Sequence, residues 1–491
     1  MEFTYEKLKR YAIIYISLPV MLFFLGWIKL WISIPIVILF LLAFYKIMKK
    51  RKDEQEEVLR IKKSTFFIIG GIALLWCFLA GQGGFFYQSD DHTYRNALFR
   101  DLIQYDWPVI YPEYNRALVY YIGHWMLPAA IGKLGLWITG NTQIAWQIGN
   151  IVLLIWSTIG ITIVFSLLVN FIKAASKKKV ILTLLVMIFF SGLDIIGSLI
   201  LGTYDATHLE WWGGAFQISS ITTCLFWVFN QAIIPWMITL MVMQEKRLEN
   251  YAYLAVMGLL SGPLPTIGIA IYLAGFGIAS LVKHIKEKSM KEFWKQCFSF
   301  QNVFAVIAIL PIIGLYLTSN TAIGNGIHIS MTGKPSTEFW INLSHYLLFL
   351  FLEVGVYAIV IWKENKKNLI YYLTVIPLLI IPVVRMGTAS DFSMRASIPG
   401  ILVLMVLVLK YLFKNYKVKK FSCMILTILL LIGAVTPFVE YRRAFTRVLQ
   451  EKRLAVTIDT IKTFNQEDFR MKENFVTEQY QDKLFYRYLA K

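Results

Sequence analysis

Charge is what this chain has little of. Only 16% of its 491 residues are Asp, Glu, Lys or Arg, against about 25% in ordinary globular domains. Disorder requires many charges and few apolar residues, and here 57% are hydrophobic. A water-exposed globule cannot hide that much apolar area, so a soluble enzyme of several domains is excluded. Cysteine is also scarce. Cys77, Cys224, Cys297 and Cys423 fall in or beside apolar runs with no zinc-like spacing, so they read as small core residues without a disulfide framework. No P-loop, G-x-G-x-x-G fingerprint, G-x-S-x-G elbow or kinase signature occurs. No signal peptide is evident: the first apolar run lacks a small-residue cleavage site and is expected to remain as an anchor.

What the sequence has is long apolar runs, with a mean hydropathy of +0.59. A membrane-crossing helix needs about 20 such residues. The run 11–47 is too long for one crossing and is expected to split at Gly26-Trp27-Ile28-Lys29 into a helical hairpin. Further spans read at 64–81, 143–172, 180–202, 221–243, 299–317, 339–362, 369–384, 395–413 and 421–438. The run 251–283 is broken at Ser261-Gly262-Pro263-Leu264-Pro265 and reads as a short span followed by a full one. The expected fold is therefore an all-α polytopic membrane protein of about thirteen transmembrane helices.

The net charge of +19 reads as a topology signal rather than as a nucleic-acid surface. With the N-terminus in the cytoplasm, the seven inner connections carry 30 of the 49 Lys and Arg, and the outer loops carry 8. This implies an integral protein of a bacterial plasma membrane, cytoplasmic at its N-terminus and extracytoplasmic at its C-terminus. Residues 117–136 could span, but that would put Lys177-Lys178-Lys179 outside. They are expected instead to lie as a helix at the outer surface, inside a long loop 82–142. The organisation is then an N-terminal hairpin with a basic loop (1–63), a transmembrane core (64–438) and a small outer tail (439–491).

The polar residues that need explaining lie on the expected outer side. Asp90 and Asp91 follow a span directly and read two ways. They suit a general base, or a metal or phosphate site, at a cavity mouth. Equally, Ser89, Asp90 or Asp91 could cap a helix over 92–105, with Asp91 and Arg95 as an i,i+4 pair. The loop 203–220 holds Asp205, His208, Glu210, Trp211 and Trp212 and no Lys or Arg. A helix would put Asp205 and His208 on one face. Tryptophan beside acids suits a sugar, or an interfacial aromatic belt. Arg385 and Arg395 break the charge rule. They suit a lipid phosphate, or in the case of Arg395 an ion pair with Asp391. Asp194 and Glu353 lie within spans, where acids are costly, and read as hydrogen-bonding groups between helices.

The order of features around Asp90-Asp91-His92-Thr93-Tyr94, Leu118-Val119-Tyr120-Tyr121 and Lys133-Leu134-Gly135, followed by span 143–172, resembles the GT-C superfamily of membrane glycosyltransferases. Within it, the chain is similar to the protein O-mannosyltransferase and aminoarabinose-transferase branch. The likeness covers roughly 65–285, including the break MGLLSGPLPTIG. Asn115-Arg116-Ala117 departs from the Lys-Pro-Pro common in that branch, two extra spans precede the first expected one, and the C-terminal part is short. The resemblance implies a GT-C-like bundle that moves a sugar from a polyprenyl-phosphate carrier to an extracytoplasmic glycan, lipid or protein. Carried over by position, it implies catalysis by Asp90 with Asp91 beside it. Arg95, Arg100, Arg385 and Arg395 would hold the donor phosphate. Asp205, His208, Glu210, Trp211, Trp212, Tyr120 and Tyr121 would line the substrate. A divalent cation bridging Asp90, Asp91 and the phosphate is compatible with such a site, since these ions use few carboxylates. The alternatives are a glycan polymerase or ligase, and a lipid-linked-sugar flippase or other transporter with Asp194 and Glu353 as coupling groups.

Overall fold

Local chemistry divides the apolar runs into helices. The first helix, Tyr5–Trp27, starts at Thr4, whose side chain accepts the Lys7 N–H. It ends where Ile28 turns extended, and Leu30–Met48 follows at once, so the expected hairpin is present. Asn141 caps the longest helix, Thr142–Ile172, by accepting the N–H groups of Gln143 and Ile144 at 2.9 and 3.0 Å. The preceding helix, Met126–Thr139, stops at Gly140, whose φ of +63° closes the last turn. The computed structural model describes residues 2–49, 58–321, 327–329, 336–386, 390–451, 457–466 and 472–491.

The chain is an all-α polytopic membrane protein. Among the described residues, nine helices are long and apolar enough to cross a membrane. A bent pair, Ile221–Gln231 and Ile233–Val242, makes a tenth, and Lys63–Leu79 and Leu369–Val383 are shorter apolar helices. Tyr251–Leu259 has only nine residues, too few to cross the apolar core on its own. The expected thirteen crossings are not reproduced by length and composition alone.

Three local expectations are corrected. Residues 117–136 do not form one surface helix. Arg116–Leu118 is a strand, Ile122–Trp125 a 3-10 turn, and only Met126–Thr139 is α-helical. Tertiary hydrogen bonds win there: the Leu118 carbonyl accepts from the Tyr486 hydroxyl at 2.8 Å, and the Tyr120 N–H donates to the Tyr316 hydroxyl at 3.1 Å. Residues 221–243 are not one straight span either, because the axis turns by 101° at the break. Asp205 and His208 share no helix face. The Asp205 carboxylate instead accepts both the N–H and the O–H of Thr207, each at 2.7 Å, which holds a turn.

Short strands tie the loop end of the bundle together. Ile110–Tyr111, Arg116–Leu118 and Val476–Glu478 form an antiparallel sheet, with Arg116 opposite Glu478 and Leu118 opposite Val476. Residues near the C-terminus thus return to loop 82–142. The Ala490 backbone also bridges Ile28, and the Lys491 N–H donates to the Trp27 carbonyl at 3.0 Å.

Candidate functional site

The helix Lys63–Leu79 ends in a glycine-rich turn. Gly81, at φ +74°, lies so near the Tyr87 carbonyl that a β-carbon would collide with it. Helix Asp91–Gln104 follows. Asp90 precedes it with helical φ and ψ, is exposed, and makes no side-chain cap. Capping therefore does not account for this carboxylate. Asp91 is engaged: its Oδ2 lies 2.9 Å from Nη2 of Arg95. Arg95 is only 3% exposed, its guanidinium carbon sits 5.7 Å from the centre of the Phe229 ring, and its Nη1 has no partner.

A second pair mirrors the first. Asp391 and Arg395 are joined at 2.8 Å on the short helix Asp391–Ala396, and the buried Arg395 Nε has no partner. Both pairs act by charge on one tyrosine. Burial raises the Tyr120 hydroxyl above its ordinary value, the Arg95 and Arg395 charges oppose that rise, and the Asp91 and Asp391 charges add to it. Burial likewise pushes Tyr121 up to about 12, against the charge of Arg395. Tyr120 stacks on Tyr121 at 4.6 Å and on Phe475 at 4.3 Å. Loop 82–142 and the C-terminal segment thus meet at Tyr120, and the Asp391–Arg395 pair acts on it by charge.

The other expected donor-binding arginines make different contacts. Arg100 contacts Asp101 at 3.2 Å. Asp101 is a buried anchor that accepts from the Tyr111 hydroxyl at 2.7 Å, the Thr463 hydroxyl at 2.9 Å and the Phe464 N–H at 3.0 Å. Arg385 reaches the Ala215 carbonyl at 3.5 Å, from a strand paired with Ile327–Ile329. Residues 387–389 of its loop lie outside the described residues.

The loop 203–220 separates by burial. Trp211 is 59% exposed, whereas Trp212 is buried and donates Nε1–H to Asp194 at 3.0 Å. A buried Trp212 packed on Gly197 cannot offer its face to a sugar. Asp194 also accepts from Ser191 at 2.9 Å and Thr436 at 2.8 Å, as expected of a group that links helices. Glu353 differs: it is buried beside Asp194 and Trp212, yet neither carboxylate oxygen has a well-formed hydrogen bond. His208 lies 2.9 Å from Glu440, which also accepts the Trp227 indole N–H at 2.9 Å. Glu210 is buried and accepts the Ser220 N–H at 2.9 Å. Burial pushes its carboxyl up to about 7, with the His208 charge opposing and the Asp194 charge adding.

Sequence reading missed the residues around Phe229. This ring stacks on His92 at 5.8 Å and packs against His124 at 5.2 Å and Trp125 at 5.4 Å. Ser157 joins His124, at 3.0 Å, to Gln82, at 3.2 Å. Burial holds both imidazoles well below the ordinary histidine value, His124 at about 3. Asn230 and Gln231 follow Phe229 at the break in the bent span. Both are fully buried, and all four of their amide atoms lack partners. An Asn-Gln pair inside an apolar run was the available signal, because polar groups at membrane depth are costly.

Among the described residues, no three His, Cys, Asp or Glu side chains cluster as metal ligands. Asp91 gives one carboxylate oxygen, Oδ2, to Arg95, and its side chain is 43% exposed. No family model matches the chain, and neither a curated protein nor a solved structure matches it.

Proposed function

We propose that the chain is a GT-C-like glycosyltransferase that moves a sugar from a polyprenyl-phosphate carrier to an extracytoplasmic acceptor. The observation that carries this reading is two largely buried arginines, Arg95 and Arg395, each tied to one aspartate and each acting by charge on the buried Tyr120, with Asp90 exposed next to Asp91. Each arginine spends one nitrogen on its aspartate and keeps another buried nitrogen unpartnered, Nη1 of Arg95 and Nε of Arg395. Those N–H groups suit a phosphate, and in a site shielded from water such bonds are strong. An acceptor hydroxyl attacks the anomeric carbon and a new C–O bond forms. The bond from that carbon to the carrier phosphate breaks, and its electron pair leaves with the phosphate. Asp90 takes the hydroxyl proton.

The sidedness belongs to this proposal: N-terminus in the cytoplasm, C-terminus outside, in a bacterial plasma membrane. Its support is that basic residues gather at the bundle end opposite loop 82–142. There Lys410 lies over the Phe171 ring, Lys179 lies over Phe413, and Lys414 pairs with Glu364.

Purified protein should transfer sugar from a polyprenyl-phosphate donor and leave nucleotide sugars untouched. Turnover of a nucleotide sugar without any lipid intermediate would overturn the reading. A flippase or other transporter is the second reading, and Glu353 favours it, as a buried acid without a well-formed hydrogen bond in a π-helical turn, Phe351–Gly355. Lipid-linked sugar crossing a vesicle membrane without chemical change would select it.

A further inference from the structure

The opposite end of the first hairpin carries a cavity of about 540 Å3 that plays no part in the transfer site. It lies where the start of Tyr5–Trp27 meets the end of Leu30–Met48. Its lining is graded along the helix axis. Lys7 and Arg10 stand at the end, Tyr11 follows one helical turn from Lys7, and Ile14, Phe44 and Met48 supply an apolar wall. Tyr11 and Ile14 are about half exposed, on the side that a bilayer would cover.

Among the described residues, the charges there do not pair off. Glu6 also lines the cavity but contacts Lys9 at 3.4 Å, and Lys9 continues to Glu245 at 3.0 Å. Lys7 and Arg10 have no ion pair among the described residues. The first turns of a helix are also an unfavourable place for cations, because the macrodipole is positive there. Thr4 already satisfies the Lys7 N–H, so capping does not explain them. Two cations with no ion pair among the described residues, beside an apolar wall, match an anionic head group above an acyl chain.

We propose that this cavity binds one anionic phospholipid, with its phosphate on Lys7 and Arg10 and the start of an acyl chain along Ile14, Phe44 and Met48. A free phosphate could meet the cations but would leave the apolar wall unused. Purified full-length protein in a neutral detergent tests this by native mass spectrometry, with phosphatidylglycerol, phosphatidylcholine and glycerol phosphate as probes. Phosphatidylglycerol should be retained over phosphatidylcholine. Lys7→Gln and Arg10→Gln should each lower that preference by roughly fivefold, while Lys283→Gln, on another basic helix end, should leave it unchanged. Circular dichroism should show the same helix content for all three variants. Equal retention of both lipids, or a preference untouched by either cavity variant, would mean that the cations only set topology. Displacement of the lipid by glycerol phosphate would make this a free-anion site. Each of these results overturns the proposal.

Discussion

Asp91 and Arg95 are joined across one helical turn at 2.9 Å, and the arginine of this pair is buried while its aspartate is partly exposed. Neighbours in sequence, Asp90 and Asp91 therefore do different work, and substitution should separate them. Asp90→Asn removes no contact, so stability should change by no more than about 0.5 kcal/mol. Sugar transfer should nevertheless fall by roughly 10²–10⁴-fold if Asp90 is the base. Asp91→Asn leaves the Arg95 guanidinium without its ion partner and should cost about 1–3 kcal/mol, with a rise in KM for the donor larger than any fall in kcat. Thermal melting and steady-state transfer kinetics on both variants check this. An Asp90→Asn protein that keeps most of its rate is not missing its base.

The two adjacent tryptophans should also behave unlike each other. Trp212 donates to Asp194 from a buried position, so Trp212→Phe leaves a buried acceptor short of a donor and should destabilise by about 1–3 kcal/mol. Trp211→Phe, at an exposed ring, should leave the melting temperature within error. If sugar stacks on this loop, only the Trp211 change should weaken substrate binding with the fold intact.

His208 makes stability depend on pH. Burial alone lowers its pKa, but the Glu440 hydrogen bond and the Glu210 and Glu440 charges outweigh burial and hold it above the ordinary value. A group raised in the folded state stabilises fully below its unfolded value, and that contribution is lost as pH rises through the folded value. The melting temperature should thus decline as pH climbs above about 6.5, and His208→Gln should flatten the decline. A wild-type curve no steeper than that of the variant would remove the pair as its cause.

Hydropathy made most helices legible, because a 20-residue apolar run in a membrane has few alternatives to a helix. The hairpin break at Ile28 and the helix following Asp90 were legible for the same local reasons, an abrupt polar step and a polar helix start. Residues 117–136 were not, since Leu118 and Tyr120 take partners from Tyr486 and Tyr316, far along the chain. Arg95, Arg395 and Tyr120 were brought together only by the family resemblance, since nothing local to Asp391 or Arg395 announces that their charges act on the same tyrosine as those of Asp91 and Arg95. Burial was hidden too: Trp211 and Trp212 are the same residue type at adjacent positions, yet only one faces outward.

The bent span supplies the most discriminating test. Asn230 and Gln231 are fully buried at a 101° turn and offer donors and acceptors that no described side chain or backbone group satisfies. Leaving one such group unpaired costs about 1–3 kcal/mol, so an apolar residue of similar volume removes that cost. Asn230→Leu and Gln231→Met, close in volume, should therefore leave the melting temperature unchanged or raise it. If the amides meet the donor beside Arg95 and Phe229, the same variants should lose transfer by about tenfold or more, as expected when a polar partner of a substrate is removed. A structural role predicts the reverse pattern: lower melting temperature, with activity per folded molecule preserved. Melting curves and transfer rates on both variants decide between the two, because the predicted signs are opposite for each measurement.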